Sequence, residues 1–267
     1  MTARTAVLPS RDHVIRSFSR AAGEYDRHAL HHRAIASRLM NLMPSIEVME
    51  SILEIGCGTG ILTGKLLNRF PEASVTALDI SPDMVMQCRK RLKDSAGISF
   101  RVMDGESLCQ IRRKYHLVAS SCAVQWFRDR ERVPDLFREV LKRNGLVLTA
   151  IPVQGTFSEL EESFRRGAAF SMNGLKLESG EYWHRRFSSA GFKILFSRVE
   201  DVAVLYETPI DVLKGIRGIG AVLRSGRKCV DPGRIGAMSR YYRRVFSDHC
   251  GDVTCTYSVH YFCGRKV

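Results

Sequence analysis

The sequence predicts an α/β protein built on a mostly parallel seven-stranded sheet with helices on both faces. Two observations favour this fold. Short apolar runs alternate with helical patterns from residue 51 to residue 151, and this alternation is typical of repeated βαβ units. The runs are also apolar almost throughout, as parallel strands covered on both faces must be.

The elements of this core follow one another in a regular order. Residues 1–10 are predicted to be disordered, and apolar spacing from Arg11 to about Met43 predicts two helices ahead of the first strand. The predicted core elements are strand 51–55, helix 60–70, strand 74–80, helix 82–94, strand 98–103, strand 115–121, helix 131–142 and strand 145–151. Asn144-Gly145 is the predicted turn before the last of these strands.

The pattern changes after Pro152. It predicts helices at 157–169 and 181–190, with a loop at 172–174 between them, then a long strand at 193–206 and a helical insertion from Pro209 to Val245. A final strand at 254–263 is expected to lie antiparallel to its neighbours.

Composition limits the kind of partner that the protein binds. The formal net charge is +13, and between Asp211 and Val245 nine cations face only two acids. Such a surplus attracts polyanions: nucleic acid, an anionic membrane or an acidic protein. The cations are Lys214, Arg217, Arg224, Arg227, Lys228, Arg234, Arg240, Arg243 and Arg244.

The cysteines indicate a reducing compartment and no metal centre. Eight are present without a C-x-x-C pair, and several fall inside apolar patterns. We therefore expect free thiols in a cytoplasmic protein. His249, Cys250 and Cys255 lack a fourth well-spaced ligand for zinc, and no apolar run is long enough for a membrane span.

A glycine-rich turn gives the clearest functional signal. Residues 52–60 read Ile-Leu-Glu-Ile-Gly-Cys-Gly-Thr-Gly, an apolar strand that runs into glycines at alternate positions before a helix. A dinucleotide fingerprint would need glycine at position 61, where Ile61 stands. The motif instead resembles the first motif of class I S-adenosylmethionine-dependent methyltransferases, which have a Rossmann-like fold. A glycine turn without a ligand is the alternative.

Two acids follow at the spacing that such a fold needs. Asp79 ends an apolar strand 19 residues after Gly60, where nucleotide-binding folds place a carboxylate against the ribose hydroxyls. The alternative is a helix cap, but Ser81 before Pro82 fills that role. Asp104 follows the next strand, where the resemblance places a side chain against the adenine amino group. The cofactor-binding residues implied are Tyr25, Glu54, Gly56, Cys57, Gly58, Gly60, Asp79, Ile80, Met84, Asp104, Gly105 and Ser121.

Three further stretches resemble the malonyl-(acyl-carrier protein) O-methyltransferases of biotin synthesis. They are Phe-Ser-Arg-Ala-Ala-Gly-Glu-Tyr-Asp-Arg-His-Ala at 18–29, Ala-Val-Gln-Trp at 123–126 and Val-Gln-Gly-Thr-Phe-Ser-Glu-Leu at 153–160, with Gly-Ile-Gly-Ala at 218–221 in the insertion. The chain departs from the family pattern at His116 for a common Asp, at Ser121 for a frequent Asn and at Arg217 where relatives can have Lys. The last change keeps the charge and alters its geometry.

The resemblance implies carboxylate methylation. A malonyl carboxylate is already anionic and can attack a sulfonium methyl without a base or a metal, so the resemblance implies roles in placement and water exclusion for Tyr25, Gln125, Trp126 and Arg217. Arg217 would hold the substrate carboxylate, and Tyr25 would belong to an N-terminal helical lid at 1–43 over a methyltransferase domain at 44–267. That domain would carry helical insertions near 155–175 and 209–247. An acidic acyl-carrier protein would dock on the basic insertion.

Other functions remain possible from the sequence. Gln-Trp after the fourth strand also occurs in trans-aconitate methyltransferases, and a non-catalytic binding protein could retain the fold. A nucleic-acid methyltransferase is disfavoured, because the chain has no Pro-Pro turn and no Pro-Cys nucleophile. No membrane partner is expected.

Overall fold

A seven-stranded sheet forms the centre of the molecule. A computed structural model of the chain describes residues 9–46, 49–170, 175–221 and 231–267. The strands are β1 (Ser51–Ile55), β2 (Ser74–Asp79), β3 (Ile98–Val102), β4 (Tyr115–Ser121), β5 (Leu141–Pro152), β6 (Phe192–Tyr206) and β7 (Val253–Lys266). Their order is β3-β2-β1-β4-β5-β7-β6. The first five are parallel, and β7 is antiparallel to both β5 and β6, which confirms the predicted sheet.

Helices cover both faces of the sheet. They are α1 (Arg11–Ala21), α2 (Tyr25–His28), α3 (Leu30–Leu42), α4 (Ile61–Arg69), α5 (Pro82–Arg91), α6 (Val133–Val140), α7 (Ser158–Glu162), α8 (Gly180–Ser189), α9 (Pro209–Gly218) and α10 (Pro232–Phe246). Because successive side chains of a strand point to opposite faces, Ile52 packs with α3 and α4 on one side, whereas Leu53 packs with α6 and α8 on the other.

Helices α7, α9 and α10 form a smaller helical lobe at the end of β7. Leu160, Ile216, Met238 and Tyr242 share one apolar cluster with Cys255 of β7. The insertion predicted over 209–245 is therefore two packed helices. Its central residues, 222–230, lie outside the described part of the chain.

Several boundaries differ from the sequence prediction for local reasons. The N-terminal region has three helices instead of two, because Ala29 adopts a non-helical backbone and separates the single turn α2 from α3. Ser10 accepts a hydrogen bond from the His13 amide and begins α1, so order starts earlier than predicted. The predicted disorder of residues 1–8 and the loop at 172–174 lie outside the described residues.

The helix predicted at 157–169 is shorter than expected. Phe157 has φ +64° and precedes α7 instead of lying within it, and a π-turn at Ser163–Gly167 ends that segment. Strand β5 begins at Leu141, but its register against β4 jumps from Leu141 to Leu146. The predicted Asn144-Gly145 turn lies in this jump, with Asn144 at φ +62°.

Candidate active site

Two adjoining cavities lie at the carboxyl ends of the parallel strands. The larger has a volume of about 800 Å³ and the smaller about 340 Å³. Tyr25, Gly56, Gly58 and Ser121 line both. In open α/β sheets this edge is where ligands bind.

The glycine turn brings backbone against these cavities. Gly56 has φ +74°, and a Cβ on it would lie 2.2 Å from the Cβ of Ala123, so no side chain fits there. Gly58 has φ +53°, and a Cβ on it would meet no atom within 4 Å. It faces the open cavities, and a ligand can therefore reach its backbone. Gly60 begins α4 and lines neither cavity.

Asp79 lies where the sequence predicted a ribose acceptor. Its carboxylate lines the larger cavity and accepts hydrogen bonds from the amides of Gly58 and Ser81, both at 2.9 Å. Ser81 accepts from the Met84 amide and begins α5, as predicted. Burial raises the pKa of Asp79, although these amide hydrogen bonds oppose the rise. Each carboxylate oxygen keeps a lone pair for a ligand hydroxyl.

Asp104 lines the same cavity as Asp79. One oxygen accepts a hydrogen bond from the Glu106 amide, and the other pairs with the Arg11 guanidinium at 2.5 Å. Arg11 was not among the predicted site residues. Its ion pair fastens the first turn of α1 to the rim of the cavity.

Helices α1 and α2 cover the cavities, and we call residues 11–28 the lid. Ser19 Oγ lies 2.9 Å from Ser81 Oγ, which ties α1 to the loop before α5. Asp26 of α2 accepts a hydrogen bond from Thr59 at 2.6 Å and pairs with Arg91. These contacts join the lid to the glycine turn and to α5.

The lid also presents aromatic side chains to the cleft. Phe18 packs edge-on against Trp126 with ring centroids 5.4 Å apart, and both line the larger cavity. Tyr25 is buried, and its pKa is raised by burial and by nearby acids including Asp79. The uncharged phenol of this lid residue therefore lies beside the glycine turn, where both line the two cavities.

Glu54 is the penultimate residue of β1 and lines the smaller cavity. It is 1% exposed, and its Oε2 has no hydrogen-bond partner among the described residues. Burial raises the pKa of Glu54 well above its usual value, with a hydrogen bond from Thr63 opposing the rise. An orphaned buried carboxyl oxygen at a cavity wall indicates a place for a donor from a ligand.

Most predicted cofactor-binding residues meet at these two cavities. The larger is lined by Tyr25, Gly56, Gly58, Asp79, Ile80, Met84, Asp104, Gly105 and Ser121, and the smaller adds Glu54 and Cys57. Among the residues predicted to place the substrate, Trp126 lines the larger cavity. Gln125 is buried outside both and donates to the Cys122 carbonyl.

Arg217 is exposed at the end of α9 and lines neither cavity. The adjacent Gly218 packs closely against the ring of His28. A Cβ on Gly218 would lie only 2.2 Å from this ring. Arg217 is thus beside the outer edge of the lid.

The sequence prediction missed several lining residues. Arg11, Phe18, His32, Phe127 and Arg128 face the cavities. Phe18 and His32 fall within the helical pattern of the N-terminal segment, which gave no sign that they would reach the glycine turn. Arg128 follows the Gln-Trp pair by two residues, and that position was the available signal.

Two of the three residues considered for zinc come together near the C-terminus. Ligand atoms of Asp248, His249 and Cys250 lie within 4.8 Å of one another on a surface turn. Cys255 is buried in β7 and is not part of this group. Within the described ranges, no helix is both long and apolar enough to cross a bilayer.

Comparisons with known proteins agree with this geometry. A family model described as a methyltransferase domain matches residues 52–145. The S-adenosyl-L-methionine complex of phosphoethanolamine N-methyltransferase 2 from Haemonchus contortus has a similar fold, with a TM-score of 0.61 at 17% identity, over 97% of this chain and 60% of that one.

Curated relatives identify a narrower group. Malonyl-(acyl-carrier protein) O-methyltransferase 2 of Ilyobacter polytropus is 35% identical over 78% of this chain and 80% of its own length. Malonyl-(acyl-carrier protein) O-methyltransferase of Acetivibrio thermocellus is 30% identical over 93% of this chain and 92% of its own. The chain belongs to the malonyl-(acyl-carrier protein) O-methyltransferase family of class I methyltransferases.

Proposed function

We propose that this protein methylates the free carboxylate of a malonyl thioester carried on acyl-carrier protein, with S-adenosylmethionine as cofactor. The product would be the methyl ester that primes pimeloyl formation in biotin synthesis. The observation that carries the proposal is a match to a relative of that name over 93% of this chain and 92% of the relative.

The described residues fit the cofactor. Asp79 offers lone pairs for the ribose hydroxyls, and Asp104 offers a carboxylate for the adenine amino group. Glu54 has a free buried oxygen for a cationic group. Gly58 leaves open space where backbone can approach the ligand. When bound, the cofactor supplies an electrophilic methyl group on a sulfonium centre.

The chain's part in the reaction is placement and exclusion of water. A carboxylate nucleophile is already ionised, so no side chain has to remove a proton. Phe18 and Trp126 close an apolar wall over the cleft, and the lid contacts of Asp26 hold that wall in place. Fixing two reactants in line can contribute roughly 7–11 kcal/mol in well-oriented cases, and a dry site favours a step that neutralises charge.

Two cations are candidates for holding the substrate carboxylate. Arg217 is the sequence prediction and lies at the outer edge of the lid. Arg128 lines the larger cavity, is exposed, and makes no hydrogen bond or ion pair with the described residues. Arg11 also lines this cavity, but Asp104 already neutralises its charge.

The basic residues of α10 would bind the carrier protein. Arg240, Arg243 and Arg244 are exposed on one helix, and we call these three residues the α10 ridge. The other cations predicted to belong to this surface, Arg224, Arg227 and Lys228, lie outside the described residues. Opposite charge on an acidic partner would mainly accelerate its association.

Methyl transfer to malonyl-carrier protein, malonyl-CoA and trans-aconitate, measured side by side, tests the proposal. We expect malonyl-carrier protein to be methylated best. The double substitution R240E/R244E should raise the apparent KM for malonyl-carrier protein and leave malonyl-CoA turnover unchanged. R217A and R128A in the same assay identify the substrate cation, since its loss should impair both malonyl substrates.

Other outcomes would redirect the assignment. A preference for trans-aconitate would overturn the carrier-protein substrate. Equal impairment of R240E/R244E on both malonyl substrates would overturn the docking role of the α10 ridge. Salt-sensitive methylation of RNA without carrier-protein selectivity would instead support a nucleic-acid partner.

A further inference from the structure

The smaller cavity contains two polar side chains that lack partners. His32 of α3 and Glu54 of β1 both line it. The buried Nδ1 of His32 and the buried Oε2 of Glu54 have no hydrogen-bond partner among the described residues. A buried polar atom without a partner is costly, so two such atoms around one cavity indicate a polar ligand.

This cavity continues the cleft assigned to the nucleoside. The two spaces share Tyr25, Gly56, Gly58 and Ser121 as walls. A ligand whose ribose contacts Asp79 can therefore extend past the glycine turn toward His32. The part of S-adenosylmethionine that projects from the ribose ends in an amino acid, with one ammonium and one carboxylate.

The two side chains can bind different charged groups of the ligand. A Glu54 carboxylate can form an ion pair with the ammonium group. The imidazole of His32 is neutral, since burial and the neighbouring His31 lower its pKa to about 3. A neutral imidazole carries one N–H, and with that proton on Nδ1 it can donate to a carboxylate. Tyr25 and Tyr257 pack against the ring at 5.6 and 5.7 Å between centroids, which limits its rotation.

We infer that His32 binds the carboxylate of the cofactor's amino-acid end through Nδ1, across the cavity from Glu54. The inference rests on the proposed function only for the identity of the cofactor, and it assigns a contact that no sequence motif indicated. It also explains why a helix of the N-terminal segment carries a polar ring toward the glycine turn.

Calorimetric titration with two ligands tests this contact. One is S-adenosylhomocysteine, and the other is its decarboxylated analogue, S-adenosyl-3-thiopropylamine, which keeps the ammonium. H32A should weaken S-adenosylhomocysteine binding about ten- to a hundredfold, the range for a hydrogen bond to a charged group. It should leave the affinity for the decarboxylated analogue unchanged. H32Q should restore most of the lost affinity, because its amide can donate.

His31 provides the matched control. It is a buried imidazole on the same helix, but its Nε2 contacts the Cys255 carbonyl at 2.9 Å and it lines neither cavity. H31A should lower the melting temperature without changing the ratio of the two affinities. The inference would be overturned if H32A lost equal affinity for both ligands, or lost affinity for neither.

The titration also separates this inference from the proposed function. It uses no acceptor, so a failure to methylate malonyl-carrier protein would overturn the proposed function and leave the His32 contact standing. No binding of S-adenosylhomocysteine by the unsubstituted protein would overturn both.

Discussion

Glu54 provides a test in which stability and binding should change in opposite directions. Its side chain is 1% exposed with one orphaned oxygen, and burial raises its pKa well above 4.5. The folded chain therefore holds a proton at this residue to a higher pH than the unfolded chain does. The folded state therefore carries a penalty that is absent below pH 4.5 and grows as the pH rises toward the folded-state pKa.

The size of this penalty has an upper limit. Each pH unit above 4.5 adds at most about 1.4 kcal/mol, which gives a ceiling of about 3.4 kcal/mol at pH 7. A chain of this size shifts its melting temperature by about 2 °C per kcal/mol. Glu54→Gln removes the ionisation while keeping the shape of the side chain. The ligand-free variant should thus melt up to about 7 °C higher at pH 7 and no more than about 2 °C higher at pH 5.

Scanning calorimetry of the ligand-free protein at pH 5, 6 and 7 measures this difference. Glu159→Gln is the matched control, since that buried carboxylate already accepts hydrogen bonds from Thr256 and its loss should lower the melting temperature. The same E54Q variant should bind S-adenosylhomocysteine about tenfold more weakly or worse. A stability difference that is negative or independent of pH would refute the reasoning.

Two further substitutions test the cleft and its lid. Asp79→Ala removes the proposed ribose acceptor and should cost roughly 1.5–3 kcal/mol of S-adenosylhomocysteine binding by calorimetric titration; unchanged affinity would contradict the site assignment. Asp26→Asn weakens the contacts to Thr59 and Arg91. Amide hydrogen exchange of residues 11–28 should therefore become faster, and identical exchange would show that these contacts do not hold the lid.

The sheet and the glycine turn could be predicted because their signals are local. A buried parallel strand is apolar along its length, and Gly56 and Gly58 adopt backbone angles that other residues rarely adopt. Asp79 was predictable from its distance to that turn. In each case, the residues that determine the local structure lie within a short stretch of sequence.

Contacts between distant segments left no comparable signal. Phe18 meets Trp126, and Arg11 meets Asp104, across about a hundred residues of chain. Helical spacing says that Phe18 faces inward, but it does not identify its partner. The same limit applies to His32, whose place at the smaller cavity depends on how α3 packs against α4 and β4.

The number of charges in the basic insertion does not reveal where each part of the insertion lies in the structure. Its end at α9 carries Gly218 and Gly220, which pack closely on His28 and on Ser17 and Phe18 of the lid, and Ser17 donates to the Gly220 carbonyl at 2.9 Å. Helix α10 instead buries Met238 and Tyr242 in the helical lobe and exposes the α10 ridge to solvent.

One segment of sequence thus serves two surfaces. Charge reversal on the α10 ridge should change carrier-protein association while the cleft stays intact. A bulky residue at Gly218 would instead displace His28 and with it the lid, so it should impair every methyl acceptor equally. The exposed arginines of the α10 ridge would therefore serve docking, whereas Gly218 and Gly220 at the other end of the insertion pack against the lid.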